Sequence, residues 1–232
     1  MLAILYDIHG NLSALDAVIA DAQERGADKW FIGGDVALFG PSPRETVFRL
    51  FELRPAIWIR GNGERWTAQP GKAPPHVLGA VAAAREELGE GLVTSLMALP
   101  ESHLLDDRTR AWHASPVSDV ESFLPDTPED ESDLLKNVVE LRLVFGHTHI
   151  PFERKSAGHG GIELFNPGSV GMPFDGDHRA AYALMHDDGT LEHRRVGYDH
   201  VRVPVALRGK YGDAEWVGVP EKRFESATLE SA

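Results

Sequence analysis

Cysteine is absent from this 232-residue chain. Its absence excludes disulfides, iron–sulfur clusters, cysteine nucleophiles and zinc–thiolate sites. Basic residues are scarce: 23 Lys and Arg against 36 Asp and Glu leave a formal charge of −13. Affinity for a nucleic-acid backbone depends on neutralising cations, so stable DNA or RNA binding is not expected. A small anionic substrate held through metal remains admissible. Long apolar runs are missing as well. None approaches the roughly 20 residues of a spanning helix, so no membrane association is expected. The opening Met1-Leu2-Ala3-Ile4-Leu5-Tyr6-Asp7 has no basic stretch and reaches an acid by position 7, unlike a secretory leader. A cytoplasmic location is the expectation.

What is present is a globular composition, 42% hydrophobic and 25% charged. At this length roughly 70–75% of the unfolded surface can be buried, enough for a full core in one domain. The first sixty residues alternate strand and helix. Apolar runs at 2–6, 30–32 and 56–59 read as buried strands. Between them, Leu12, Leu15, Val18, Ile19 and Ala22 form a helical stripe ended by Gly26, and Ser42-Pro43-Arg44-Glu45 starts a second helix. This spacing favours a parallel sheet with right-handed crossovers. Further on, helices are expected at 77–88, 93–99 and 134–139, and strands at 103–105, 110–113 and 141–145. The acidic stretch 125–133 reads as solvated. Runs at 162–165, 180–186 and 191–196, with an Asp188-Gly189 turn, read as antiparallel strands. The tail from 201 is not assigned to elements.

The chemistry-bearing residues follow the strands. They are Asp7-Ile8-His9-Gly10-Asn11, Gly33-Gly34-Asp35, Arg60-Gly61-Asn62-Gly63-Glu64, Trp112-His113 and Gly146-His147-Thr148-His149. In open α/β sheets ligands bind beyond the carboxyl ends of the strands. Asp7 and His9, two apart, would share one face of an extended backbone, as would His147 and His149 unless a loop turns them toward different neighbours. Imidazole, carboxylate and amide oxygen without thiolate suit manganese, iron, nickel or zinc. Seven donors exceed one tetrahedral site and suit two ions about 3.5–4 Å apart, bridged by a shared carboxylate. Such a centre is net positive and attracts a phosphate ester without a basic patch. Singly, each motif also reads as a turn, a helix cap or a core histidine; their joint order at strand ends is what points to metal.

Together these residues resemble the signature of the calcineurin-like metallophosphoesterases, and Asn166-Pro167-Gly168-Ser169-Val170-Gly171 resembles a stretch of the small bacterial and archaeal phosphodiesterase branch. The resemblance covers about residues 1–195. It implies one domain over 1–232, with a core to about 195 and an extension over about 200–232. The implied fold is an α/β, four-layer α/β/β/α sandwich of two mixed sheets. Also implied are Asp7, His9 and His149 on one ion, Asn62, His113 and His147 on the other, and Asp35 bridging. Asp35, Asn62 and His113 would be catalytic as well. Two divalent transition-metal ions are the expected cofactors, manganese first, and a small phosphoester the substrate. The expected activity is phosphodiester hydrolysis by a metal-bridging hydroxide.

One departure stands out. The family usually has His where this chain has Gly63; that His contacts the phosphoryl group and helps protonate the leaving oxygen. General acid catalysis is worth about 10²–10⁴-fold, so leaving groups of low pKa should be favoured. Arg60 and Glu64, flanking Asn62, could support the ligands from behind or form a surface pair. Phe39, Trp66, Met172 and Phe174 could line the pocket or pack loops; His76, His159 and His178 read as loop histidines. Trp216, Val217 and Val219 fit a subunit contact or intrachain packing equally. The rival readings are a phosphatase or nucleotide hydrolase of the same superfamily, whether of cyclic nucleotides or dinucleoside polyphosphates, and a non-catalytic protein-interaction module.

Overall fold

The computed structural model describes residues 1–126, 130–158 and 160–229. Along the chain run β1 (Leu2–Leu5), α1 (Leu12–Glu24), β2 (Lys29–Ile32), α2 (Pro43–Phe51), β3 (Ala56–Trp58), α3 (Asn62–Ala68) and α4 (Leu78–Met97). Then follow β4 (Ser102–Leu104), β5 (Thr109–Trp112), β6 (Arg142–Val144), β7 (Phe152–Lys155), β8 (Glu163–Asn166), β9 (Ala180–Met185), β10 (Leu191–Val196), α5 (Arg202–Tyr211) and α6 (Gly218–Ser226). The strands form two mixed five-stranded sheets, ordered β10-β9-β1-β2-β3 and β4-β5-β6-β8-β7. β1, β2 and β3 are parallel, as are β5, β6 and β8. All of these point their carboxyl ends toward one rim.

Alternation along the strands builds two cores at once. Ala3, Leu5, Trp30 and Ile32 pack with Leu15, Val18 and Ile19 of α1 and Leu50 of α2. Ile4, Tyr6 and Phe31 face the other way and meet Ala111, Val144 and Phe165 of the second sheet. Strands buried on both faces carry continuous apolar runs, which is why 2–6 shows no polar alternation. The Tyr6 hydroxyl crosses between the sheets, 3.0 Å from the Trp112 carbonyl and 3.2 Å from that of Val144. The outer face of the second sheet is covered by Phe123 and Leu135 over Leu143, Phe145 and Leu164.

Several expectations need correction. Residues 134–137 form turns, and 138 and 139 an irregular segment, rather than a helix. Leu134, Leu135 and Val138 still reach the core, but Asn137 is left-handed at φ 63°, which breaks a helix there, and Val139 is 86% exposed. The acidic stretch 125–133 is only partly solvated: Glu131 is buried against Arg154 at 2.5 Å, and positions 127–129 lie outside the described residues. β8 does not join β9 and β10; it lies between β6 and the unforeseen edge strand β7. The two helices expected at 77–88 and 93–99 are α4, broken at Gly89 (φ 73°, ψ 157°). The tail forms α5 and α6; their Val203, Leu207 and Phe224, with Val217 in the turn before α6, pack on Met172. Trp216 fills the space above Gly79, where a Cβ would lie 2.5 Å from the indole. Intrachain packing therefore accounts for Trp216 and Val217, while Val219 is 39% exposed. Among the described residues no helix is long and apolar enough to cross a membrane.

Candidate metal centre

The rim brings the sequence-grouped side chains into one basin. Asp7 and His9 follow β1, Asp35 follows β2, Asn62 opens α3, His113 ends β5, and His147 and His149 follow β6. The local backbone is not the extended one expected for the Asp7/His9 and His147/His149 pairs. Asp7, His9, Asp35, His147 and His149 all have φ between 51° and 66°. They converge because alternate residues turn left-handed past the strand ends. Each such residue costs about 1–3 kcal/mol and persists only where its surroundings over-determine it.

Those surroundings are explicit. The loops after β1 and β2 are laced together by Asp7 N–H to Gly34 C=O (3.2 Å) and His9 N–H to Asp35 C=O (2.9 Å). Gly34 sits at φ 94°, and a Cβ there would meet Gly61 N at 2.5 Å. Glu64 is buried and accepts three backbone protons, from Asp35 and Val36 (both 2.9 Å) and Gly61 (2.7 Å). It thereby ties the β2 and β3 loops together. Arg60 does otherwise: its guanidinium pairs with Glu101 away from Asn62. The stretch 166–171 braces the remaining loops. Ser169 Oγ donates to the Asp7 carbonyl at 2.7 Å, and the Asn166 amide donates to Gly146 C=O (3.0 Å) and Thr148 Oγ1 (2.9 Å).

Backbone carbonyls also fix the imidazole tautomers. Nδ1 faces Leu38 C=O in His9 (2.9 Å), Met172 C=O in His149 (2.6 Å) and Gly33 C=O in His113 (2.9 Å). Each Nδ1 therefore carries the proton and each Nε2 a free electron pair. The Nε2 atoms of His9 and His149 then face each other at 3.0 Å with no proton between them. Asp7 Oδ1, buried and without a hydrogen-bond partner, is 3.6 Å from His149 Nε2 and 3.9 Å from His113 Nε2. Asp35 lies between the two groups, with Oδ2 4.0 Å from His9 Nε2 and Oδ1 3.4 Å from His113 Nε2. The end of the Asn62 side chain meets three acceptors: His113 Nε2 (2.9 Å), His147 Nδ1 (2.9 Å) and Asp119 C=O (3.0 Å). Turned one way, the amide's two protons satisfy at most two of them; turned the other, its oxygen joins the imidazoles and all require a cation.

The donor set fits a metal. Asp7, His9 and His149 place ligand atoms within 4.8 Å of one another, and so do Asp7, Asp35 and His113. Burial raises Asp7 to about 8 and, with the nearby Glu64 charge, holds Asp35 well above the usual carboxylate range. Burial lowers His9 and His147 to about 3 and takes His149 well below its ordinary value. His9, His147 and His149 are thus neutral ligands, and the buried carboxylates hold protons for want of counter-charge. A divalent cation would supply that charge and displace the protons as pH rises.

The cleft above this basin has a volume of about 450 Å³. Phe39, Trp66, Met172 and Phe174 all line it, as does His76. Phe174 stacks on His149, with ring centroids 4.2 Å apart. His178 instead contacts the Glu225 carbonyl at 2.9 Å, and His159 lies outside the described residues. Sequence reasoning missed Arg223 of α6, which reaches the same cleft; its only sequence signal was a cation in an unassigned tail.

A family model, the calcineurin-like phosphoesterase superfamily domain, matches residues 1–189. The chain is 32% identical over 222 residues to uncharacterized protein MJ0912 of Methanocaldococcus jannaschii, covering 86% of this chain and 88% of that protein. It is 28% identical over 191 residues to phosphodiesterase YfcE of Escherichia coli, covering 78% and 85%. A solved metallophosphoesterase from Sphaerobacter thermophilus matches with a TM-score of 0.81 at 25% identity, over 98% of each chain. Helices α5 and α6 lie beyond the segment that the family model matches.

Proposed function

This chain belongs to the calcineurin-like phosphoesterase superfamily and is a phosphoester hydrolase; from that premise we propose a phosphodiesterase working on two divalent ions, manganese first among them. Asp7, His9 and His149 would hold one ion, Asn62, His113 and His147 the other, with Asp35 shared. The observation that carries this reading is the facing of lone pairs, His9 Nε2 against His149 Nε2 at 3.0 Å beside the orphaned Asp7 Oδ1. When bound, the ions would supply Lewis acidity toward phosphoryl oxygens and bring the pKa of water down to about 7. The chain's own work is positional. Carbonyls at 33, 38 and 172 hold three imidazoles in the ligating tautomer. Glu64 holds the Asp35 backbone N–H at 2.9 Å, and the Gly63 N–H donates to Asp35 Oδ1 at 2.6 Å, which together would fix the shared carboxylate.

Gly63 brings no proton to the leaving group. A small diester with a leaving group of low pKa, such as an aryl or nucleotide ester, therefore suits this site better than an alkyl phosphate. Metal analysis should give a stoichiometry near two per chain. With manganese, kcat/KM for bis(p-nitrophenyl) phosphate should exceed that for p-nitrophenyl phosphate; a strong monoester preference would remove the diester assignment. Asp35→Asn and His113→Ala should each abolish turnover without altering the circular dichroism spectrum.

A further inference from the structure

Arg223 has a setting unlike that of an ordinary surface cation. It belongs to α6, outside the matched family segment, yet it lines the cleft shared with His9, Asp35, Asn62 and His149. Its guanidinium carbon lies 5.5 Å from the Phe174 ring centre, and Phe174 stacks on His149. Its Nε is buried with no hydrogen-bond partner. Among the described residues its side chain makes no ion pair, although most of the chain's arginines do. The side chain is half-buried, so its guanidinium is partly stripped of water with no protein anion against it. The acids of the basin are not within ion-pairing distance of it, and an anion entering the cleft would supply the missing partner.

The position is built rather than incidental. Phe224, next in sequence, is buried with Val217, Leu207 and Met172 and anchors α6 beside the cleft. The helix ends at Ala227, left-handed at φ 53°, whose N–H returns to the Arg223 carbonyl at 2.9 Å. Beyond it, Asp175 and Thr228 form a β-bridge, and Gly176 N–H donates to the Ala227 carbonyl at 2.9 Å. His178 contacts the Glu225 carbonyl at 2.9 Å. The loop carrying Phe174 and the end of α6 are thereby fastened together, and Arg223 is held over the ring. α5 steadies α6 through Arg208 and Glu221.

We propose that Arg223 is a substrate-binding residue, the cation by which the C-terminal helix grips the phosphoryl oxygens of the ester. This rests on the phosphoester-hydrolase reading of the basin and adds to it a contact that the family segment does not contain. The planar guanidinium fork matches two phosphoryl oxygens, and its neighbour Phe174, with Phe39 and Trp66, offers an aromatic substituent a surface to lie against. The fitting substrate class is an anionic phosphodiester bearing an aromatic group.

The test uses the full chain loaded with manganese and inorganic phosphate as the probe. By calorimetry, Arg223→Met should weaken phosphate binding roughly ten- to a hundredfold, the worth of a charge-assisted pair. KM for bis(p-nitrophenyl) phosphate should rise in proportion, with kcat changed less. Arg223→Lys should recover part of the affinity. Metal stoichiometry and the urea midpoint should stay at wild-type values, which a packing role over Phe174 would move. Phosphate affinity equal to wild type in Arg223→Met, or no phosphate uptake by wild type, overturns the assignment. Wild type inert toward diesters, with phosphate binding still weakened by Arg223→Met, leaves Arg223 in place and removes the phosphodiesterase reading instead.

Discussion

At position 63 a single hydrogen atom decides two matters. On the proposed mechanism it withholds an imidazole from the leaving group, and it leaves room for Asp35. A Cβ there would lie 2.8 Å from Asp35 Oδ1, on a carboxylate already drawn to the Gly63 N–H at 2.6 Å. Gly63→Ala should therefore weaken metal binding about tenfold, as loss of a ligand-orienting contact does, read by competition with a chromophoric chelator. Gly63→His carries the same Cβ. It should lose metal affinity in step with the alanine variant while shifting relative rates toward alkyl leaving groups; an unchanged alkyl-to-aryl ratio would count against the missing acid. Glu64 gives a second test. Gln in its place puts an NH₂ against a backbone N–H and leaves at least one buried donor unpaired, worth about 1–3 kcal/mol by urea unfolding of the metal-free chain. The grouped donors were legible because they sit at strand ends in a fixed order. The role of Glu64 was not, because its partners belong to Asp35, Val36 and Gly61, and nothing local distinguishes a buried acceptor of three protons from half of a surface pair with Arg60.

The loops, more than the strands, shape the basin. Strand pleating would have sent Asp7 and His9 to one face; the left-handed turns instead fold them back against the β2 loop. Such turns survive because 166–171 braces them from behind. Ser169 is fully buried, donates to the Asp7 carbonyl at 2.7 Å and accepts from Met172 N–H at 2.8 Å. Ser169→Ala strands the Met172 N–H and leaves the Asp7 carbonyl with only the Gly171 N–H at 3.0 Å. It should cost about 1–3 kcal/mol in the metal-free chain and should lower metal affinity as well; stability unchanged in urea would refute the bracing. Elements were readable from sequence where both faces are buried and apolar, as in β1, β2 and β9. β7 escaped because Phe152-Glu153-Arg154-Lys155 is an edge strand with alternate residues exposed. The helix expected at 134–139 failed although Leu134, Leu135 and Val138 reach the core, because Asn137 turns left-handed between them. α5 and α6 were obscured by Pro204, Pro220 and dense charge, yet they bring Arg223 to the cleft.

Across the whole molecule the basin ties stability to pH, and the sign follows from which state holds the proton. Asp7 is raised by burial from an unfolded value near 3.8 to about 8. Between those values the folded chain keeps a proton that the unfolded chain has released, so this contribution falls as pH rises. The histidines act in the opposite direction. His9 and His147, lowered to about 3, and His149, lowered well below its usual value, stay neutral when folded while the unfolded chain protonates them below about 6.5. Their contribution is lost as pH falls below that point. The metal-free chain should therefore be most stable near pH 6.5. From there to pH 8 it should lose up to about 2 kcal/mol, at about 1.4 kcal/mol per pH unit for one proton, with Asp35 adding in the same direction. Metal should reverse the alkaline limb. On the proposed ligand set a divalent ion would take the place of the proton on Asp7, so its affinity should climb from pH 6.5 to 8 and its uptake at pH 7 should release protons into weakly buffered solution. Urea unfolding at pH 6.5 and 8, with and without manganese, checks both limbs. Metal-free stability that rises over that interval, or manganese uptake without proton release, would show that the buried carboxylates are not awaiting a cation.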